Sequence, residues 1–389
     1  MMKLGLGSTL LLTVLFAGCA EDASNGDGTG TDGTLPNGLP GGSSGGPGAS
    51  SGGTSGGPGS SGGPGSEDGG TSAEAPCTLS AKAYGGMKMW LCVPSGMGTA
   101  PAGLVVAMHG YTQGVVQANS PNKAWGFKAT SQWAALAEKH KFYVIFPDKG
   151  SAAFSWYAFF GTSGIARTDA EPTNIAAMVK DVQAAHAIDP EKIFANGLSA
   201  GAFMTTVMLA TYPDVFAGGS MFEGGAYGCS QSCAALGKKG GGGWTWPGNH
   251  AATLVTGAHA NWKSPTARKP RLLVFQGDAD GAVTPENLAD VTQQWKGAYG
   301  ITAAGTKTAL KGNEYTEYAK DGNTVLATIL LKGIGHGTPV DPGTGADQGG
   351  WDPVPSQTAS SDANAVQDWT NSAGVWGPYY SAKFFGLIP

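Results

Sequence analysis

The sequence predicts an α/β fold in which a mostly parallel sheet is covered by helices on both faces. Apolar runs of strand length alternate along the chain with segments whose apolar residues recur at helical spacing, an order typical of parallel sheets with crossover helices. Most strand runs are also continuously apolar, as in Gly103–Met108 (GLVVAM). Such runs are expected of strands that are buried on both faces.

The predicted elements follow one another from residue 103 onward. The predicted strands, in chain order, are Gly103–Met108, Phe142–Phe146, Lys192–Ala195, Gly218–Phe222, Arg271–Phe275, Glu314–Ala319 and Thr324–Leu331. The predicted helices are Ala129–His140, Asn174–His186, Gly201–Tyr212 and Pro285–Tyr299. Thr284 as N-cap with Pro285 at the first helical position predicts the start of the last helix. Asp321-Gly322 between the last two strands predicts a β-hairpin.

The amino-terminal region differs in composition from the rest of the chain. Its opening, MMKLGLGSTLLLTVLFAGCA, has one lysine and an apolar run, Leu10–Phe16, too short to span a bilayer, which predicts a secretory signal. The ending Ala17-Gly18-Cys19 resembles a bacterial lipobox, so residues 1–19 are interpreted as a signal peptide with lipidation at Cys19. A plain signal peptide cut nearby is the alternative. We therefore expect an exported protein, either a cell-surface or outer-membrane lipoprotein or a secreted one.

Residues 20–75 predict a disordered linker, because the unit SGGPG recurs there and almost no apolar residue is available for a core. The domain expected to carry the function is therefore residues 76–389. The net charge of the chain is −5 and no basic run is present, so nothing favours nucleic acid as a partner. Contact with a membrane is expected only through the amino-terminal lipid.

Four cysteines remain after Cys19, an even number in an oxidising compartment. Proximity in the sequence favours the disulfides Cys77–Cys92 and Cys229–Cys233. A zinc site is the alternative, but C-x3-C without a nearby pair of histidines is poor zinc spacing.

The stretch ANGLSAGAFM contains Gly197-Leu198-Ser199-Ala200-Gly201, which fits the pattern G-x-S-x-G. The pattern also fits several windows of the linker, so the pattern alone is weak evidence. Ser199 differs from the linker serines because it follows a predicted strand and precedes a predicted helix, the context of a nucleophile elbow. We therefore interpret Ser199 as a nucleophile, with a packing turn as the alternative.

A nucleophilic serine needs a base, and the base needs an acid that orients it. His336 lies in LKGIGHGTPV, directly after a predicted strand and between two glycines, which suits a base. Its alternative is an ordinary surface histidine. In RLLVFQGDADGAV, both Asp278 and Asp280 follow a predicted strand, and spacing alone does not choose between them as the acid.

An HG turn, His109-Gly110, follows the first predicted strand. In such a position we expect the backbone N–H groups of Tyr111 and Ala200 to stabilise an oxyanion. His109 itself is interpreted as structural. This chemistry requires no metal and no organic cofactor.

Five segments together resemble the polyhydroxybutyrate depolymerase-type esterases, a family that includes feruloyl and acetylxylan esterases. They are VVAMHGYTQG, WAALAEKHKFYVIFPD, IDPEKIFANGLSAGAFMTTVMLATYPDVFAG, LLVFQGDADGAV and GIGHGTPVDP, and the likeness covers about residues 77–389. The resemblance implies an α/β-hydrolase fold and a Ser-His-Asp triad. It also implies that Asp280 is the acid, because the family pattern HG-x-x-D-x-x-V aligns with that residue.

The chain departs from the family pattern at three places. Tyr111 stands where many members have a cysteine, and Ser155-Trp156 stands where many have a Cys-Trp pair. Both departures are consistent with the loss of one disulfide near the site. Gln276 replaces the histidine that begins the acid motif, a change expected to be tolerated because that residue does not orient the base.

The resemblance implies a serine esterase acting on a polymeric or small ester. A short-chain polyester such as polyhydroxybutyrate is the leading substrate, and feruloyl or acetyl groups on xylan are the alternative. A non-catalytic lipoprotein that binds polymer on a hydrolase scaffold is the alternative of another class. Expected substrate contacts are Gln113, Trp156 and Tyr157. Trp156 and Tyr157 belong to a wider aromatic set of candidates, whose alternative is ordinary packing. That set is Phe154, Trp156, Tyr157, Phe159, Phe160, Trp244, Trp246 and Trp262.

Overall fold

The computed structural model describes residues 77–111, 113–115, 126–149, 156–160, 164–229, 233, 251–349 and 370–389. All of them belong to one unit, Gly69–Pro389. The predicted signal peptide, Cys19 and the linker lie outside these ranges, as do Phe154, Trp244 and Trp246. In the ranges above, no helix combines the length and apolar character needed to cross a bilayer.

A ten-stranded sheet forms the centre of the described structure, with strand order β1-β2-β4-β3-β5-β6-β7-β10-β9-β8. Its strands are β1 Thr78–Tyr84, β2 Met87–Val93, β3 Ala102–Met108, β4 Tyr143–Asp148, β5 Ile188–Leu198, β6 Gly218–Phe222, β7 Arg271–Gly277, β8 Thr306–Leu310, β9 Asn313–Lys320 and β10 Asn323–Leu331. The six strands from β4 to β10 in this order pair in parallel. Antiparallel strands flank them at both edges. A separate parallel pair joins β11 Thr338–Val340 to β12 Thr370–Ser372.

The edge strands are joined by two-residue loops in which both residues have positive φ. These loops are Gly85-Gly86, Lys311-Gly312 and Asp321-Gly322. Such values are typical of the type I′ turns that match the twist of antiparallel strands. The hairpin at Asp321-Gly322 is therefore confirmed, while β1, β2 and β8 were not predicted from the sequence.

The helices lie between the parallel strands and after the sheet. They are α1 Phe127–Thr130, α2 Trp133–His140, α3 Tyr157–Phe160, α4 Ala170–Ala185, α5 Ala200–Thr211, α6 Ala252–Ala258, α7 Glu286–Tyr299 and α8 Gly377–Phe385, with a 3-10 helix at Ala260–Lys263. The single helix predicted over Ala129–His140 is wrong, because Gln132 adopts a left-handed φ of 55° and separates α1 from α2. The last predicted helix begins one residue later than expected, with Pro285 at the cap position.

The core lies on both faces of the sheet, as the continuously apolar strands predicted. Along β3, Leu104 and Val106 belong to one buried cluster and Val105 and Ala107 to the other. The first cluster contains apolar residues of α4, α5 and α7, and the second contains those of α2 and α8. All residues of α5 are buried, so the helix that follows Ser199 is held on every side.

Both expected disulfides are present. Cys77 pairs with Cys92, which joins β2 to the residue before β1, and Cys229 pairs with Cys233. The Cα–Cα distances are 5.5 and 5.9 Å, which lie in the usual range for disulfides. The alternative of a zinc site at these cysteines is therefore excluded by the pairing.

Candidate active site

The carboxyl ends of five parallel strands carry polar residues to one edge of the sheet, where ligands bind in open α/β sheets. These residues are His109 after β3, Ser199 after β5, Glu223 after β6, Asp280 after β7 and His336 after β10. Ser199 and His336 line one cavity of about 130 Å³. Its remaining lining residues are Gly110, Tyr111, Gln113, Phe159, Leu198, Ala282 and Val283.

Ser199 occupies a tight turn between β5 and α5. Its φ and ψ are 55° and −121°, a conformation that costs a non-glycine residue about 1–3 kcal/mol. The turn is possible because a Cβ on Gly197 would lie 2.1 Å from the carbonyl oxygen of Gly201, and one on Gly201 would lie 2.1 Å from that of Met108. Ala200 is the first residue of α5, so its N–H has no intrahelical acceptor and points toward the start of the helix.

Asp280 contacts the imidazole of His336. The distance from Asp280 Oδ2 to His336 Nδ1 is 2.8 Å. Asp280 Oδ1 accepts hydrogen bonds from the backbone N–H groups of Ala282 and Val283 at 2.8 and 2.9 Å, which fix the carboxylate. Asp278 instead accepts a hydrogen bond from the backbone of Gly333. The geometry thus selects, of the two acids left open by spacing, the one that the family resemblance implied.

A second carboxyl group at His336 was not identified from the sequence. Glu223 is fully buried, and its Oε2 lies 3.1 Å from His336 Nδ1. The same oxygen accepts a short hydrogen bond from the backbone N–H of Gly337. The available signal was an acid directly after a predicted strand in GSMFEGG, whereas the two acids considered from the sequence follow the next strand along the chain.

Burial and opposite charges act against one another in this cluster. Burial, followed by the negative charge of Asp280, raises the pKa of Glu223 to about 8. Burial alone would lower the pKa of His336, but Asp280 and Glu223 outweigh it and raise that pKa to about 10. Because Glu223 and His336 interact strongly, the protonation of each depends on that of the other.

The same three side chains offer ligand atoms that lie within 4.8 Å of one another, a spacing that a divalent cation could bridge. The hydrogen bonds fit a proton better than a cation. The N–H donors of Ala282, Val283 and Gly337 point at the carboxyl oxygens, and their partial positive charges would oppose a bound cation. A proton on His336 Nδ1 satisfies both carboxyl groups.

The HG turn after β3 is held by a buried histidine. His109 Nδ1 lies 2.8 Å from the carbonyl oxygen of Gly110, and the backbone N–H of Lys149 donates to His109 Nε2 at 3.3 Å. A carbonyl needs a donor and an N–H needs an acceptor, so the ring is neutral with its proton on Nδ1. Burial also lowers the pKa of His109. These contacts agree with a structural role for His109.

Gln113 closes the same turn from the cavity side. Its Oε1 accepts a hydrogen bond from the N–H of Gly110 at 2.7 Å, and its own N–H donates to the Gly110 carbonyl. A Cβ on Gly110 would lie only 3.4 Å from Ser199 Cβ, so the turn is packed against Ser199. Tyr111, the next residue, is 44% exposed at the cavity. The oxyanion role of Tyr111 and Ala200 and the substrate contact of Gln113 remain predictions.

The expected substrate contact of Trp156 is wrong, because its side chain is fully buried and does not line the cavity. Its Nε1 donates to the carbonyl oxygen of His109 at 2.8 Å, so Trp156 supports the HG turn from behind. Trp262 is likewise a core residue that donates to the carbonyl of Ala210. Phe159 does line the cavity. The side chains of Tyr157 and Phe160 are outside the described part.

Gln276, which replaces a histidine of the family pattern, contacts the loop that carries Asp280. It is buried, and its Nε2 donates to the carbonyl oxygen of Val283 at 2.9 Å. The same nitrogen lies 3.4 Å from Asp280 Oδ2. Gln276 therefore ties together the loop that presents Asp280.

Comparisons with known proteins agree with this fold. Residues 87–317 match the family described as Esterase PHB depolymerase. Poly(3-hydroxyalkanoate) depolymerase C from Paucimonas lemoignei is 36% identical over 78% of this chain and 68% of that protein. The probable acetylxylan esterase A from Aspergillus clavatus is 28% identical over 65% of this chain and 80% of that protein.

A solved structure, the acetyl xylan esterase from Aspergillus awamori, superposes with a TM-score of 0.54 and 25% identity, over 67% of this chain and 94% of that chain. The sheet, with its helices and esterase neighbours, is of the α/β-hydrolase type. On this evidence the chain is an esterase that belongs to the esterase PHB depolymerase family.

Proposed function

We propose that the protein is an exported serine esterase that hydrolyses carboxylic esters through Ser199, His336 and Asp280. The observation that carries the proposal is the arrangement at the sheet edge. A strained serine turn and a histidine line one cavity, and a buried carboxylate contacts Nδ1 of that histidine. This is the division of roles that an acyl-transfer triad requires.

In the proposed reaction, Ser199 Oγ attacks the ester carbonyl carbon while His336 Nε2 takes the serine proton. Asp280 keeps the proton of His336 on Nδ1, so in the neutral imidazole Nε2 is the nitrogen that accepts the serine proton. The backbone N–H groups of Ala200 and Tyr111 stabilise the oxyanion, an interaction worth about 3 kcal/mol for each donor. His336 then protonates the leaving alcohol, which leaves the acyl group on Ser199. In the second half, His336 takes a proton from water, the water attacks the acyl carbon, and His336 returns the proton to Ser199.

A short-chain polyester of 3-hydroxy acids is the leading substrate, because the depolymerase from Paucimonas lemoignei is the more similar of the two relatives described above. Acetyl groups on xylan are the second candidate, favoured by the superposed acetyl xylan esterase structure. Export, with lipidation of Cys19 as the anchor, is proposed from the amino-terminal sequence. A linker over residues 20–75 would let the esterase domain reach an insoluble substrate.

The test uses the full chain beside Ser199→Ala, with Ser95→Ala as the control for an exposed serine outside the cavity. Each protein is offered polyhydroxybutyrate suspension, methyl ferulate and acetylated xylan, and acid release is followed. Clearing of polyester that requires Ser199 is the expected result. Release from xylan or ferulate alone would move the substrate to plant polysaccharide.

A fluorophosphonate probe distinguishes the enzyme from a polymer-binding module on the same scaffold. We expect the probe to label the wild type and Ser95→Ala but not Ser199→Ala, with the modified peptide identified by mass spectrometry. Absence of labelling at Ser199 would refute the serine mechanism.

A further inference from the structure

We propose that Glu223 is a second acid on His336, a positioning residue that shares the Nδ1–H with Asp280 and orients the ring when Asp280 cannot. The inference deepens the proposed function and rests on it, because it assigns a role at the same histidine. It concerns a residue that the sequence pattern of the triad does not contain.

The geometry places both acids beside the same ring nitrogen. Glu223 and Asp280 follow the neighbouring parallel strands β6 and β7, and their Oε2 and Oδ2 atoms lie 3.1 and 2.8 Å from the same nitrogen. One proton on Nδ1 therefore lies within hydrogen-bond distance of both oxygens.

The backbone holds Glu223 in this place. Its φ is 55°, a left-handed value that is unusual for glutamate. Its N–H donates to the carbonyl of Phe275 at 2.9 Å. At the other end of the residue, the N–H of Gly337 donates to Oε2. Because Gly337 directly follows His336, this contact ties the loop of the base to β6 as well as to β7.

The charges of the cluster explain why two acids can share one histidine. The titratable groups that interact with Glu223 are Asp280 and His336. Since burial and Asp280 raise the pKa of Glu223, its carboxyl group holds a proton at neutral pH and only one negative charge faces the imidazole. The other oxygen, Oε1, has no hydrogen-bond partner among the described residues, which suits a protonated carboxyl group better than a buried carboxylate.

The same balance predicts what happens when Asp280 loses its charge. In Asp280→Asn, the repulsion that raises the pKa of Glu223 is removed, so Glu223 ionises at lower pH. A carboxylate then again faces Nδ1, and the histidine keeps its orientation. Removing the only acid of a triad typically lowers kcat by about 10⁴-fold. We expect Asp280→Asn to lose only about 10²-fold here, with activity that rises with pH as Glu223 ionises.

The experiment measures kcat/KM of the full chain on p-nitrophenyl butyrate across the pH range, for Asp280→Asn, Glu223→Gln and the double variant. Asp278→Asn is the matched control, because it removes a carboxylate from the same loop without contact to His336. We expect near-wild-type activity at neutral pH for the control alone, a smaller loss for Glu223→Gln than for Asp280→Asn, and a loss of about 10⁴-fold for the double variant. If Asp280→Asn alone loses as much as the double variant, the proposal is wrong.

A readout without catalysis separates this inference from the proposed function. The proton NMR resonance of His336 Nδ1–H is expected to persist in Asp280→Asn and to disappear in the double variant. Its loss in Asp280→Asn would refute the role of Glu223 whatever the activity. Turnover that survives Ser199→Ala, with the resonance behaving as expected, would refute the serine mechanism and leave Glu223 in place.

Discussion

Replacing Gly201 by alanine tests whether backbone contact between α5 and β3 sets the geometry of the site. The new Cβ would lie 2.1 Å from the carbonyl oxygen of Met108 and 2.6 Å from that of His109, where ordinary contact begins at 3.4 Å. Both neighbours are backbone atoms, so no rotamer change relieves the clash. The start of α5 and the end of β3 must separate by about 1 Å in a closely packed region.

Two effects of different size follow. Overpacking of this kind costs about 1–3 kcal/mol of folding stability, which lowers Tm by a few degrees in a domain of this size. The separation also moves the HG turn relative to Ser199, because β3 carries the turn and α5 begins beside the serine. A misplacement of about 1 Å between reacting groups can lower the rate by about 10²-fold. We therefore expect activity to fall far more than stability.

The assay compares kcat/KM on p-nitrophenyl butyrate with Tm from calorimetry. Gly257→Ala is the control, because Gly257 is also helical but its Cβ would meet no atom within 4 Å. An alanine there should raise stability by about 0.5–1 kcal/mol and leave kcat/KM unchanged. Wild-type kcat/KM in Gly201→Ala would refute the claim that this contact positions the site.

Three further predictions concern stability. Replacing both cysteines of Cys77–Cys92 by serine should lower the free energy of unfolding by about 3 kcal/mol, because the disulfide spans 15 residues. The same change at Cys229–Cys233, which spans 4 residues, should lower it by less. Equal losses of unfolding free energy in urea would contradict the argument. Burial lowers the pKa of His109, so below its unfolded value of about 6.5 the unfolded state binds more protons, and stability decreases as the pH is lowered. His109→Asn should reduce the slope of unfolding free energy against pH by up to about 1.4 kcal/mol per pH unit. Parallel curves for the variant and the wild type would contradict this prediction. Gln276→Leu leaves the Val283 carbonyl without its donor, at a cost of about 1–3 kcal/mol, which an unchanged Tm would disprove.

Local sequence patterns, such as apolar runs and turn residues, predicted much of the fold. The apolar runs predicted every parallel strand of the sheet, and Asp321-Gly322 predicted its hairpin. The break at Gln132 was missed because helical spacing continues across it, whereas a left-handed φ in a non-glycine residue has no clear sequence signal. β1 was missed because its described side chains are exposed or half-buried and it has no continuous apolar run. In β2 the apolar stretch Met89–Val93 was an available signal.

Local sequence identified the serine turn and the histidine loop, but burial decided which aromatic residues can meet a substrate. Trp156 and Trp262 are chemically suited to a binding surface, yet both are buried and donate to backbone carbonyls. A tryptophan supports a core as well as an interface, so composition alone could not separate the two roles.

The sequence by itself determined the order of strands and helices, the strand–turn–helix at Ser199 and the family, because these depend on neighbouring residues or on motifs. Only the tertiary structure showed that Glu223 meets His336 beside Asp280, the acid that the family resemblance implied. Asp280 and Glu223 are separated from His336 by 56 and 113 positions in the sequence. The strand order of the sheet brings the three residues together. The protonation of Glu223 is likewise a tertiary property, since burial and the charge of Asp280 raise its pKa only once the sheet has formed.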